Sequence, residues 1–298
     1  MKPSLRRSFT GIAFALPWII GLCTFTLYPV IASLYYSFCD YSVLESPVWI
    51  GGDNYSRMVH DRSFWISLKN TLIYAGFSIP LGMVVALCLA LLLNCRVRGT
   101  ALFRTIFYLP SIVPIIASSM LWLWILNPSF GLVNLALAPF CDFLHVKPPG
   151  WLSDPSWAKP ALILMSAWGV GNSMIIYLAG LQDVPEALYE AAEIDGASKW
   201  QQFWHVTLPM LMPVVYFNLV MGIIGALQTF TQVFIMTGGT DGAPAQSTLL
   251  YAPYLFATAF FDLRMGYASA LAWVLFCIIA LLTLLATKAL QERMSHVR

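Results

Sequence analysis

The 298-residue chain is 59% hydrophobic and only 10% charged, with a formal net charge of +2, against roughly 25% charged residues in an ordinary soluble domain. So few charges cannot cover the surface of a soluble protein of this length, and so small a net charge offers no electrostatic handle for nucleic acid. An integral membrane protein is implied.

Residues 1–10 form a short basic N-terminus with Lys2, Arg6 and Arg7. Six apolar runs long enough to cross a bilayer as helices follow, at 11–38, 71–94, 105–126, 159–181, 211–237 and 267–289, and residues 291–298 form a polar tail. They predict an all-α architecture with one six-helix transmembrane domain over 11–290. The first run is too long for a signal peptide and ends without a small-x-small cleavage site, so it reads as an uncleaved helix. No Asp, Glu, Lys or Arg stands near the centre of a span, where ion-coupled carriers commonly need a carboxylate.

On the fourth span Trp168 and Asn172 are spaced i,i+4, pairing an aromatic face with an amide, a combination suited to the C–H faces and hydroxyls of a sugar. On the fifth, Asn218, Gly225, Gln228 and Gln232 fall within about 80° of one another at 100° per residue, and Met221 shares the stripe. Amides both donate and accept, and Gly225 leaves room for a ring. The competing role for these amides is bonding between helices.

Charge sets the orientation. With the N-terminus inside, ten basic residues (Lys2, Arg6, Arg7, Arg96, Arg98, Arg104, Lys199, Lys288, Arg293, Arg298) face six outside (Arg57, Arg62, Lys69, Lys147, Lys159, Arg264). The excess puts both termini in the cytoplasm, and with them the segment 183–210 between the fourth and fifth spans. Six cysteines show neither CxxC nor Cys/His metal spacing, and no metal site is indicated. Cys39 and Cys141 fall in segments read as external, where a disulfide could form; the alternative is free thiols in or near helices.

The cytoplasmic segment is predicted as a helix–turn–helix elbow. Asp183 is expected to cap a first helix carrying Pro185 in its first turn, and Gly196 to stop it in a left-handed turn. Ser198 and Gln201 form an S-x-x-Q capping box for a second helix, which Leu208-Pro209 is expected to end. Trp200, Phe203 and Trp204 give that helix an aromatic face, fit either for lipid headgroups or for a groove on a soluble partner.

Within this segment "EAAEIDGASKWQQFWHVTLPMLMP" resembles the EAA signature of the permease subunits of ABC importers, matching at Glu190, Ala191, Ala192, Asp195, Gly196, Ala197, Leu208, Pro209 and Pro213. "FWISLKNTLIYAGFSIPLGMVVALCLALLLN", "RGTALFRTIFYLPSIVP" and "MTGG" followed by "GYASALAW" extend the similarity to carbohydrate permeases of the maltose, lactose and glycerol-phosphate type. The resemblance implies the MetI-like permease fold in a bacterial inner membrane. It makes the elbow a coupling element seated in a cleft of an ATP-hydrolysing subunit, and lines the cargo cavity with this part of the fifth helix, where Gln228 aligns with an amide contact. It implies four kinds of partner: a similar second permease, two ATP-binding subunits, an extracytoplasmic solute-binding protein and the lipid bilayer. The chain itself would be non-catalytic and hold no cofactor, ATP being bound by the partner. It lacks the extra N-terminal helices and outer domain of the maltose-specific subunit, so maltose is not implied. Cargo could be a neutral sugar or oligosaccharide, with glycerol phosphate or another polar solute as the alternative.

Two further readings compete. A stand-alone facilitative carrier needs no ATPase dock, which the elbow supplies. A membrane-embedded enzyme finds no HExxH, GxSxG or paired intramembrane carboxylates, and no GxxxxGK[ST] loop is present for a nucleotide.

Overall fold

The computed structural model describes residues 3–95 and 99–294. Lys2, Arg96, Arg98 and Arg298 lie outside the described residues, as do the side chains of Arg6, Arg7 and of 291–298.

The first apolar stretch is one long helix with a flaw in it. Helix α1 (Pro3–Leu22) passes through a π-turn (Cys23–Leu27) into α2 (Tyr28–Ser37). Pro29 explains the widening, because proline lacks an N–H and its ring collides with the carbonyl four residues back. The Tyr28 N–H reaches the Cys23 carbonyl instead, and the wider turn absorbs the mismatch. A short antiparallel hairpin, β1 (Cys39–Asp40) and β2 (Val48–Trp49), leads to α3 (Asp53–His60).

The regular elements that follow are all helices. In order come α4 (Arg62–Asn94), α5 (Thr100–Ile112), α6 (Ile115–Ile125), α7 (Leu132–Phe143), α8 (Pro155–Trp168) and α9 (Gly171–Gln182). The elbow follows, with α10 (Glu186–Ile194), α11 (Lys199–Gln202), a second π-turn (Phe203–Thr207) and α12 (Leu208–Met210). The chain closes with α13 (Met212–Leu227), α14 (Thr231–Met236), α15 (Tyr251–Phe260) and α16 (Met265–Met294).

Three stretches are long and apolar enough to span a bilayer alone: Ile12–Ser37, Arg62–Asn94 and Met265–Leu290. Three bent pairs bring the number to as many as six if each is one span: α5 with α6 at 97°, α8 with α9 at 47°, and Lys199–Met210 with α13 at 65°. The run at 105–126 is therefore not a straight helix. Val113 precedes Pro114 and is driven to an extended conformation (φ −65°, ψ 128°). The run at 159–181 breaks at Gly169–Val170. The run at 211–237 stops being helical at Gln228, where Thr229 Oγ1 donates to the Gly225 carbonyl at 3.0 Å and competes with the helix's own bonding.

The chain forms two compact units. One takes the chain up to Asp61 with Leu255–Phe276. In it Asn54 Nδ2 donates to the carbonyls of Ser37 (3.0 Å) and Cys39 (2.9 Å), and Tyr267 Oη donates to Asp61 Oδ2 at 2.7 Å. The other takes Arg62–Tyr254 with the chain from Cys277 onward. Its core sets Ala86, Ala90 and Leu93 of α4 against Met174, Tyr177, Leu178 and Leu181 of α9 and against Leu211. Small residues permit this approach, as is usual between membrane helices. A Cβ on Gly180 would stand 2.7 Å from Val214 Cγ2, and one on Gly171 would stand 2.7 Å from Ser111 Oγ. All six cysteines are free, Cys39 and Cys141 included.

Candidate functional site

Two features of the larger unit gather the residues singled out by sequence. The first is a cavity of about 590 Å³ bounded by α4, α5, α6, α8, α9, α13 and α14. A volume of this size suits a small polar solute. Trp168, Asn172, Asn218, Gly225 and Gln232 all line it, with Met221. An added Cβ at Gly225 meets nothing within 4 Å, so that position does open space.

Gln228 does not belong to this lining. It is the C-terminal cap of α13, its N–H still bonded to the Ile224 carbonyl at 3.2 Å, and it is exposed, outside the cavity wall. Gln232 reaches the cavity from the separate helix α14. The sequence reading missed Tyr74, Ser78, Ser118, Ser166 and Thr229, which also line it. Tyr74 and Ser78 share a face of α4 at i,i+4, but single hydroxyls in apolar helices carry no distinguishing signal.

The lining has a definite chemistry. Ser111 and Ser166 hydroxyls donate to the carbonyls of Tyr108 and Ile163, each at 2.7 Å, and Asn218 Nδ2 donates to Val214 O at 2.9 Å. The oxygens of these side chains remain available as acceptors. Gln232 Nε2 donates to the buried Tyr74 hydroxyl at 2.8 Å, which leaves Gln232 Oε1 to accept from elsewhere. The Asn172 amide makes no side-chain hydrogen bond among the described residues and is exposed. Trp168, edge to face with Trp122 at 6.1 Å, adds an aromatic wall. Among the described residues no charged side chain lines the cavity.

The second feature is the elbow. Gly196 has φ +77° and stops α10 as expected, with Ala197 N–H on Ala192 O (2.9 Å) and Gly196 N–H on Glu193 O (3.0 Å). The capping box forms from Ser198 and Gln201. Asp183 does not cap α10. It ends α9, and Pro185 takes the N-cap position instead, where its missing N–H costs nothing. Nor does Pro209 end the second helix. The π-turn at Phe203–Thr207 accommodates it as the first π-turn accommodates Pro29, and the chain turns at Leu211, two residues before Pro213.

The elbow's parts are tied across the turn. Tyr189 Oη and Thr207 Oγ1 are hydrogen-bonded at 2.9 Å, and Gln202 Nε2 donates to Ala197 O at 3.2 Å. Lys199 pairs with Glu193; this hydrogen bond first, and the lysine charge second, hold the Glu193 carboxyl below the usual glutamate range. A hollow of about 250 Å³ opens between Ala192, Asp195, Gly196 and Ala197 on one side and Gln201, His205 and Val206 on the other. Glu190 and Ala191 are exposed on α10, and Leu208 and Pro209 are half-buried. Trp200 and Trp204 are 69% and 48% exposed and pack edge to face at 5.7 Å. An aromatic cluster so exposed fits a surface to be covered.

Residues 78–296 match the family described as the binding-protein-dependent transport system inner membrane component. The chain is 43% identical over 288 residues to a probable ABC transporter permease protein, YesP, of Bacillus subtilis (strain 168), covering 96% of this chain and 92% of the relative. It is 36% identical over 297 residues to the lactose transport system permease protein LacF of Rhizobium radiobacter, covering 98% of both. Among solved structures, a bacterial ABC transporter that imports the acidic polysaccharide alginate contains a chain superimposing with a TM-score of 0.83 at 26% identity, covering 97% of both chains. A second structure of a bacterial alginate transporter, in complex with its alginate pentasaccharide-bound periplasmic protein, also superimposes at 0.83 and 26% identity, over 98% of this chain and 97% of the other.

Proposed function

Because the chain belongs to the family of binding-protein-dependent transport system inner membrane components, we propose that it forms half of the pathway by which an ABC importer carries a neutral sugar or oligosaccharide across the inner membrane. On this reading each bent pair is one of six spans, both termini are cytoplasmic, and residues 11–290 act as one permease domain. A similar second permease completes the pathway, and two ATP-binding subunits supply the energy. A solute-binding protein delivers the cargo, as the alginate-bound periplasmic protein accompanies the similar transporter. The chain contributes no ATP chemistry and no cofactor of its own.

The observation that carries the cargo class is the cavity lining. It offers hydroxyl and amide groups, an indole face and methionines, and no charged group among the described residues. Sugar hydroxyls pair with the first, and sugar C–H faces pack on the second. A phosphorylated or carboxylated cargo would lack a counter-charge from this subunit, which weighs against glycerol phosphate.

The elbow supplies the coupling. Its first helix buries no residue, its second starts at a capping box, and the Tyr189–Thr207 bond ties the first to the turn after the second, so the elbow can move as a body. Glu190 makes no bond to the elbow's own amides among the described residues, which leaves it for the ATPase. Ala192, Asp195, Gly196 and Ala197 border the hollow, into which a side chain of that partner fits.

Reconstitution with its permease, ATPase and binding-protein partners tests this directly. ATP-dependent uptake of neutral oligosaccharides, reduced several-fold by Asn172→Ala or Trp168→Ala with assembly intact, is the expected result. Uptake without any ATPase subunit, or preference for anionic solutes, contradicts it.

A further inference from the structure

Helix α4 presents two different faces. Phe64, Ser67, Thr71, Tyr74, Ala75 and Ser78 point inward and are buried. The opposite side carries a shallow groove between α4's own side chains, lined by Trp65, Leu68, Leu72, Ile73 and Phe77, with Lys69 beside them. Trp65, Leu72 and Phe77 are 52%, 42% and 65% exposed, and Lys69 is also exposed. Gly76 is the notch in the floor, and a Cβ built there meets nothing within 4 Å. From Trp65 to Phe77 the groove extends about 18 Å along the helix, at 1.5 Å per residue.

Its chemistry changes along that length. Lys69 stands two residues before the apolar run that begins at 71, at the depth of lipid headgroups, and Trp65 sits one turn further out, in the aromatic belt zone. Below Lys69 every lining residue is apolar. A second cation, Lys159, lies on the packed side of the helix, where its Nζ donates to Oδ1 of the buried Asn70 at 2.9 Å. Neither lysine has an ion-pair partner among the described residues. An exposed positive charge at a headgroup depth, above an apolar helix face, asks for an anion with a hydrocarbon tail.

We infer that the groove is a binding site for an anionic phospholipid, with the phosphate held at Lys69 and an acyl chain laid over Gly76 between Leu72 and Phe77. A helix of the second permease is the poorer occupant. Close helix packing in membranes uses small residues spaced by four, and Gly76 has Leu72 and Pro80 at those positions. Such a helix would also have to bring a carboxylate to Lys69. The inference needs only that α4 spans the membrane, and it stands apart from the identity of the cargo.

The intact complex, purified in mild detergent and exchanged into nanodiscs of phosphatidylglycerol and phosphatidylethanolamine, provides the test, with native mass spectrometry reading the retained lipids. The wild-type protein is expected to retain phosphatidylglycerol preferentially. Lys69→Gln should lower that preference about five-fold, the factor one basic group supplies near an anionic surface, and leave phosphatidylethanolamine unchanged. Gly76→Leu, whose side chain enters open space, should expel both lipids from the site. Equal phosphatidylglycerol retention by all three proteins overturns the assignment. So does efficient cross-linking of Gly76→Cys to the second permease in the assembled complex, because a protein then fills the groove.

Discussion

The elbow's hydrogen bonds close over short stretches of chain: Gln201 on Ser198, Ala197 on Ala192, Tyr189 on Thr207. In the cavity the link from Gln232 to Tyr74 joins residues 158 positions apart, and the walls come from seven helices. The elbow is exposed and polar, and its shape is a property of its own residues. The cavity exists only when the helices around it have packed. Substitutions in the elbow should therefore act through backbone geometry and leave the membrane helices intact, whereas substitutions in the cavity should act through the chemistry of single side chains.

The sharpest break of that contrast is at Gly196. Its φ of +77° is a conformation a β-branched residue resists, and no neighbouring atom otherwise limits the site. Holding such a residue there costs about 1–2 kcal/mol. Gly196→Val should cut ATP-driven uptake by more than about ten-fold. Membrane insertion and yield should stay normal, as read by uptake and quantitative immunoblotting of membranes.

A milder contrast lies within one region. Gln232 lines the cavity and Gln228 does not. One neutral hydrogen bond is worth about 0.5–1.5 kcal/mol, so Gln232→Ala should weaken uptake several-fold. Gln228→Ala should leave it unchanged. Equal losses in the two variants would erase the distinction between a residue on the wall and one outside it.

Smaller still is the effect of the tie across the elbow. Tyr189→Phe removes the bond to Thr207 Oγ1 and should loosen α10 by roughly 0.5–1.5 kcal/mol. Faster amide exchange over Glu186–Ile194, with the cavity helices unchanged, is the expected signature.

The least effect concerns pH. Glu193 is held below its ordinary value by Lys199, so the pair's contribution is fully present above about pH 4.3 and is lost as pH falls through the depressed value. Both side chains are largely exposed to solvent, which keeps the contribution small. Lys199→Ala should return the Glu193 carboxyl to its ordinary titration, as followed by carbon-detected NMR of a labelled sample, and should alter transport at neutral pH little.

The same division governs what could be read from sequence. The left-handed turn at Gly196 and the capping box at Ser198 were legible because each depends on residues a few positions apart. The apolar runs were legible, but the bends within three of them were not. The 97° turn before Ile115 follows from Val113-Pro114 together with the packing around it, and a hydropathy window averages it away. Pro209 misled because proline usually ends helices, and the π-turn that rescues it here, as at Pro29, leaves no compositional mark. An angular stripe likewise assumes an unbroken helix, and here the helix ends at Gln228, so that Gln232 reaches the cavity from α14. Tyr74, Ser166 and Thr229 were invisible because only tertiary packing brings them to one space.

Whether the cavity is the cargo path and the elbow its driver is most directly decided by the accessibility of one cavity position. In the reconstituted importer, with the native cysteines replaced, Asn172→Cys can be alkylated by an impermeant thiol reagent added to either side of the membrane. The account predicts reactivity that changes side between the ATP-bound and nucleotide-free states. It also predicts protection by transported sugar and loss of the switch, but not of one-sided labelling, when Gly196→Val is added. Labelling from one side alone in every nucleotide state, with no protection by sugar, would contradict it.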